Sequence, residues 1–346
     1  MNAKHITICG LILLLTTHLH GSLTWTPETG WYVEGGILEE YIGSDINAKN
    51  ALEYMEIARS AQEKGSYRRA LRSYRKIYKN YPLSNLAPEA LYQSGRIQQK
   101  RKRWVKAFNL YQQIARRHPN YEKYLDMIEA QFEIATAFKE GARLKAFGLI
   151  PGLRSRERAI EYYNTLIVNA PYSDYAPKAL MNIATIAQEQ KKSDVAIDAL
   201  ERLIENYPDN PLAKKGYLII ADVYAGLVDG PEYDQSLVRK AISYYNDYLF
   251  LFPGGEHTEQ AEAGREKMEE VLANSKFILG EFYYVYRHDT EAAKTFYSEA
   301  ITVAPKSPSA EKARERFDSI ESGAKLPRAP GTWLLGPPEP VQRKTL

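Results

Sequence analysis

The sequence predicts an all-α fold: a right-handed superhelical solenoid of about six helix–turn–helix repeats, without sheet. Three observations lead there. An alanine followed twelve residues later by a proline recurs six times, at Ala70/Pro82, Ala107/Pro119, Ala159/Pro171, Ala196/Pro208, Ala241/Pro253 and Ala293/Pro305. Inside that frame, large apolar side chains fall at helical spacing. The chain also holds 26 Tyr against 11 Val, a balance that suits helices packed through rings better than sheets, where β-branched residues gather.

The second helix of each repeat carries the clearest pattern. Four residues after the alanine stand Tyr74, Tyr111, Tyr163, Leu200, Tyr245 and Tyr297, with further apolar residues at the seventh and eighth positions. Positions i, i+4, i+7, i+8 and i+11 make one stripe on an α-helix, so these tyrosines read as core, not as ligand contacts. The proline then ends the helix, because it lacks an amide hydrogen and restricts the residue before it. A first helix precedes, with a small residue twelve positions before the alanine at Ala58, Gly95 and Ala184. Lys64-Gly65-Ser66 and Lys191-Lys192-Ser193 read as the turns between the two helices. The alanines are spaced by 37, 52, 37, 45 and 52 residues. The longer intervals hold insertions at 139–157 and 226–236 and a long helical segment at 256–286, expected as loops or extended helices on one edge. A stack of repeats also suits a 346-residue chain, since each repeat needs only its neighbours.

The flanks differ from the repeats. Residues 1–21 predict a signal peptide, with Lys4 before an apolar run from Ile6 to Leu15 that is too short to span a bilayer, and Gly21-Ser22 as the cleavage point. Residues 22–47 read as an irregular lead-in, 48–322 as the solenoid and 323–346, with five prolines, as a flexible tail, with a short docking motif at Trp333-Leu334-Leu335 as the lesser alternative. The only cysteine, Cys9, lies in the apolar run, so the mature chain is expected to have neither disulfides nor cysteine-based metal or redox sites.

A net charge of +3 is too small for a dedicated nucleic-acid binder, and no nucleic-acid partner is expected. The charge is segregated, however. Residues 28–56 carry seven acids against Lys49, and 256–270 carry six against Arg265 and Lys267. Arg96, Lys100, Arg101, Lys102, Arg103 and Lys106 stand together with no acid. With the basic stretch from Arg143 to Arg158 they predict a positive patch, opposite in sign to 256–270. Chemistry is not expected. His118, His257 and His288 lack ligand spacing. There is neither a Gly-x-Ser-x-Gly elbow nor a glycine-rich phosphate loop. The expectation is a non-enzyme with no catalytic residues, no cofactor and no metal.

Several units share a finer signature. Asn80-Tyr81-Pro82-Leu83-Ser84 leads to Ala87-Pro88-Glu89-Ala90, and Ala170-Pro171-Tyr172-Ser173 leads to Tyr175-Ala176-Pro177-Lys178-Ala179; Asn206-Tyr207-Pro208-Asp209 is a third copy. The pattern small–x11–Ala–x3–aromatic–x7–Pro resembles the tetratricopeptide repeat over residues 48–320. With the export signal and the long helix before the last unit, it resembles the BamD (ComL-type) family. That resemblance implies an exported scaffold in the periplasm or at the periplasmic face of the outer membrane. There it would bind a POTRA-bearing outer-membrane insertase and help deliver unfolded outer-membrane proteins. One departure is plain: Cys9 follows Ile6-Thr7-Ile8 within the apolar run, so the lipoprotein cysteine of that family is not matched.

By the repeat frame, first helices line the protein-binding groove. Its candidates are Tyr92, Arg96, Gln99 and Lys100, then Phe132, Thr136 and Lys139, then Met181, Thr185 and Gln188. Chaperone-binding relatives clamp a carboxylate with a Lys/Asn/Arg set; Tyr92 and Arg96 stand where the Lys and Asn would be, which leaves Arg96 and Lys100 for looser anion binding. In the first insertion, Arg143, Lys145, Phe147, Leu149, Ile150 and Arg154 mix apolar and basic character, as a partner loop or a peripheral membrane contact would. Two alternatives differ in class. One is a periplasmic scaffold of cell-wall or envelope-constriction machinery. The other is a solenoid lytic transglycosylase, whose appended lysozyme-like domain does not fit into the residues after 320.

Overall fold

Thirteen α-helices follow one another among the residues described by the computed structural model, which are 22–26, 30–34, 45–146 and 150–327. The signal-peptide reading, Trp333-Leu334-Leu335 and most of the tail lie outside the described residues. The chain divides into two compact units, Met1–Ala176 and Pro177–Leu346.

The first unit opens with an antiparallel ribbon of β1 (Ser22–Thr26) and β2 (Gly30–Glu34), in register from Ser22 opposite Glu34 to Thr26 opposite Gly30. Three helix pairs follow: α1 (Asp45–Glu63) with α2 (Tyr67–Asn80), α3 (Leu86–Lys100) with α4 (Trp104–Arg117), and α5 (Tyr124–Lys139) with α6 (Arg156–Asn169). Each helix packs on the next in the chain, and α1, α3 and α5 also touch in sequence. The marker alanines Ala70, Ala107 and Ala159 are wholly buried, which lets the two helices of a pair approach closely. Around them Tyr74, Ile77, Tyr111, Ile114, Tyr163 and Leu166 fill the core, as the apolar stripe of each second helix requires.

Where α4, α5 and α6 meet, the packing is polar. Gln131 is wholly buried, and its Nε2 donates to Gln112 Oε1 at 3.1 Å. Asn169 Nδ2 donates to Gln112 Oε1 at 2.7 Å and to Gln131 Oε1 at 3.1 Å, and Gln112 Nε2 donates back to Asn169 Oδ1 at 3.2 Å. Beside this amide triangle the ring of Tyr162 stacks on Phe108 at 3.7 Å.

The helix α7 (Tyr175–Glu189) straddles the division. The second unit continues with α8 (Ser193–Asn206), α9 (Pro211–Gly226), α10 (Ser236–Leu251), α11 (Thr258–Glu281), α12 (Thr290–Val303) and α13 (Pro308–Glu321). Helices α9, α12 and α13 start on side-chain caps: Asn210, Asp289 and Ser307 accept from the amides of Leu212, Ala292 and Ala310. Pro211 and Pro308 occupy the first turn, where a missing amide hydrogen costs nothing. The long α11 runs into a wide π-type turn, Phe282–Tyr286, which buries Tyr284 and leaves Phe282 and Tyr286 stacked and half-exposed. Residues 227–235 form the expected loop, closed by the buried Gln235, whose amide donates to the carbonyls of Gly230 and Tyr233.

Two expectations are corrected. The described residues are not free of sheet, since β1–β2 precedes the repeats and a second antiparallel ribbon interrupts the third helix pair. That second ribbon, β3 (Arg143–Ala146) with β4 (Ile150–Arg154), occupies the insertion expected as loop or helix. The cause is local. Gly141 takes φ 98° just past α5, and Gly148, Pro151 and Gly152 deny the segment a helix. In β1–β2, Trp25, Trp31, Tyr32 and Val33 are strand formers, whose short alternation was read as irregular.

A left-handed residue also recurs after first helices: Gly65 (φ 70°), Lys102 (52°), Gly141, Lys191 (57°) and His288 (53°). Only glycine adopts this without a steric penalty, and three of the five are not glycine.

Candidate protein-binding face

Five of the core tyrosines, Tyr74, Tyr111, Tyr163, Tyr245 and Tyr297, point their hydroxyls toward a first helix. Tyr74 Oη donates to Gln62 Oε1 at 2.9 Å, Tyr111 Oη donates to Gln99 Oε1 at 2.9 Å, and Tyr163 shares a 2.8 Å hydrogen bond with Thr136 Oγ1. In the second unit, Tyr245 donates to Asp222 and Tyr297 to Glu281, each at 2.6 Å. A buried phenol needs such a partner, and a polar side chain on the facing helix supplies one.

In the first unit these ties join into a ladder. Gln62 Nε2 donates to Gln93 Oε1 at 3.1 Å, and Gln93 Nε2 donates to Glu89 Oε1 at 2.8 Å. Glu89 Oε2 accepts from Tyr121 at 2.5 Å and from Lys123 at 3.1 Å. Gln99 Nε2 donates to Glu133 Oε2 at 2.6 Å, linking α3 to α5. Burial pushes the Glu89 carboxyl up, but the bonds from Tyr121, Gln93 and Lys123 outweigh it and hold the group below its ordinary value. Burial raises the phenols: Tyr74 to about 12, and Tyr111, Tyr121, Tyr245 and Tyr297 further in the same direction.

The groove candidates fall as follows. Tyr92 is buried, its ring 6.0 Å from both Tyr111 and Tyr121, and the exposed Arg96 guanidinium lies 6.0 Å from it. Lys100 is exposed, 5.6 Å from the ring of Tyr67. Phe132 sits between Tyr163 and Tyr175 at 5.5 and 5.3 Å, and Thr136 holds Tyr163. Lys139 closes α5, half-buried. Met181, Thr185 and Gln188 belong to the second unit, where Thr185 Oγ1 donates to the Met181 carbonyl at 2.9 Å and Gln188 is exposed. The first unit thus brings Tyr92, Arg96, Gln99 and Lys100 onto one helix, on which Gln93 and Gln99 are held by hydrogen bonds and Arg96 and Lys100 are exposed cations.

Of the loop candidates, Arg143, Lys145, Ile150 and Arg154 lie on the β3–β4 ribbon, with Arg143 opposite Arg154. Phe147 and Leu149 lie outside the described residues.

Sequence reasoning missed the strongest basic element. Helix α2 carries Arg68, Arg69, Arg72, Arg75, Lys76 and Lys79 with no acid, a charge count that was available in the sequence. It missed the ladder as well, because polar partners 31 to 34 residues apart carry no periodic signal. Among the described residues, no His/Cys/Asp/Glu group could hold a metal ion, and no helix is long and apolar enough to cross a membrane.

Tetratricopeptide-repeat family models match residues 55–122 and 178–210, so these segments are tetratricopeptide repeats. The outer membrane protein assembly factor BamD of Caulobacter vibrioides is 22% identical over 125 residues, 36% of this chain. The match spans 41% of the length of that curated relative. Among solved structures, a tetratricopeptide repeat protein from Parabacteroides merdae is 16% identical with a TM-score of 0.31, covering 78% of this chain and 98% of that one. The MamA protein of Desulfovibrio magneticus is 14% identical with a TM-score of 0.29, covering 60% and 97%.

Proposed function

We propose that this chain is an exported, non-catalytic scaffold that binds proteins through its first-helix face and serves the assembly of outer-membrane β-barrel proteins. The observation that carries the reading is the ladder on α1, α3 and α5. Buried tyrosines hold Gln62, Gln99 and Thr136 in fixed orientations, and Arg96 and Lys100 project from the same α3 surface. Preorganised polar groups lower the ordering cost of binding, and exposed cations steer an acidic or carboxylate-bearing chain toward them. The partial likeness to an outer membrane protein assembly factor supports the setting. The proposed partners are a POTRA-bearing insertase and unfolded outer-membrane proteins, met at the periplasmic face of the outer membrane.

The test is affinity capture from envelope extract with the full chain and an Arg96→Glu/Lys100→Glu variant. Recovery of a POTRA-bearing barrel protein, lost with the variant, supports the proposal. Recovery of cell-wall enzymes alone, or capture of the barrel protein unchanged by the variant, overturns it.

A further inference from the structure

A second feature of the first unit lies among α2, α3 and α4. There a cleft of about 600 Å³ is walled on one side by Arg68, Arg72, Arg75 and Lys79. These stand at i, i+4, i+7 and i+11 on α2, so they form a row about 16 Å long at a rise of about 1.5 Å per residue. The α4 wall adds Lys106 and two amides, Asn109 and Gln113. All five cations are exposed, and neither α2 nor α4 contains an acid.

The floor supplies an independent observation. Ser94 and Gln98 of α3 line the cleft, and Ser94 is 1% exposed. Its Oγ has no hydrogen-bond partner, not even the backbone bond that a helical serine commonly makes, and Gln98 Oε1 has none either. A buried unpaired polar group costs about 1–3 kcal/mol, so an unpartnered hydroxyl and an unpartnered amide oxygen beneath a row of guanidinium groups point to a polar ligand.

We propose that this cleft binds a phosphorylated polyol. Arginine forks match phosphate oxygens two at a time, in a monoester or a diester alike, and a monoester adds a second charge on the same compact group, which several closely spaced cations favour over a carboxylate. The Ser94 hydroxyl donates to a phosphate oxygen at the floor. Gln98 Oε1 needs a donor, which a phosphate ester's carbon skeleton supplies through its free hydroxyls. The site is walled by second helices and does not depend on the first-helix reading above. Two sources share the chemistry: a lipid headgroup and a soluble sugar phosphate.

Isothermal titration of the full chain with fructose 1,6-bisphosphate, with citrate as a carboxylate control, tests the soluble source. Co-sedimentation with phosphatidylglycerol vesicles, against phosphatidylcholine vesicles, tests the lipid one. Binding in either arm is expected to weaken about tenfold or more in Arg72→Glu/Arg75→Glu, and severalfold in Ser94→Ala. The serine variant keeps the wild-type melting temperature or exceeds it, because it removes an unpaired buried hydroxyl. Binding in neither arm overturns the proposal, as does citrate or a poly-glutamate peptide binding as tightly as the bisphosphate. Phosphate binding that both variants leave unchanged overturns it too.

Discussion

The ring of Tyr111 occupies the place where a side chain at position 95 would begin. A Cβ on Gly95 would stand 2.3 Å from Tyr111 Cε1 and 2.7 Å from Cζ, and the same relation holds between Gly280 and Tyr297, at 2.5 Å. The bare backbone and the large ring are therefore one packing unit. Gly95→Ala is expected to destabilise the chain by about 1–3 kcal/mol, the usual range for overpacking. Gly226, exposed at the end of α9 with nothing within 4 Å of its Cβ position, is the control. There alanine should be neutral or stabilising by about 0.5 kcal/mol. Thermal unfolding of the two variants checks the contrast.

The tyrosine ties predict alkaline sensitivity. Folded phenols hold their protons above the ordinary value of 10.0, Tyr74 to about 12, chiefly through burial. The stability they contribute is fully present below about pH 10 and is lost as pH rises through the folded values. Tyrosinate absorbance near 295 nm should therefore rise late and together with loss of helical ellipticity. Tyr111→Phe removes one tie and leaves Gln99 Oε1 short of a donor, at a cost of about 1 kcal/mol at neutral pH.

Glu89 acts at the other end of the scale. Its carboxyl is held below the ordinary value, so its contribution is present above that value and is lost as pH falls through the folded one. Glu89→Gln should lower the melting temperature at pH 7 and flatten its decline below about pH 5. An unchanged acid limb would show that the bonds from Tyr121 and Lys123 contribute nothing net.

Lys102 and Lys191 occupy left-handed backbone that costs a side-chain-bearing residue about 1–2 kcal/mol. Replacing either with glycine should raise stability by about 0.5–1 kcal/mol after the extra chain entropy of glycine is subtracted. Alanine at the same positions should give no such gain, and denaturant midpoints separate the two outcomes.

The repeats were legible because their signal is periodic. Alanine, tyrosine and proline at fixed offsets dictate a buried stripe and a helix end, and Tyr74, Tyr111 and Tyr163 lie where that stripe put them. The ribbons were not legible, since four or five residues in each strand are too few for alternation to outweigh an irregular reading. For the candidate site, spacing placed Arg96 and Lys100 on an exposed surface of a first helix. It could not show that Tyr92, one turn away, is roofed by Tyr121 from a connection 29 residues later. The cation row of α2 was countable in the sequence and was missed because groove reasoning attended only to first helices.

The amide triangle of Gln112, Gln131 and Asn169 has a consequence for alignment. Apolar contacts are non-directional, so a leucine trio at that seam would tolerate α4 sliding along α5 and α6 by part of a turn. Amides allow no such play, because a shift of a few ångströms strands the buried Gln131 and its two half-buried partners at once. The seam works as a keyway between the second and third helix pairs. It trades some adhesive strength for a single permitted setting of one pair against the next.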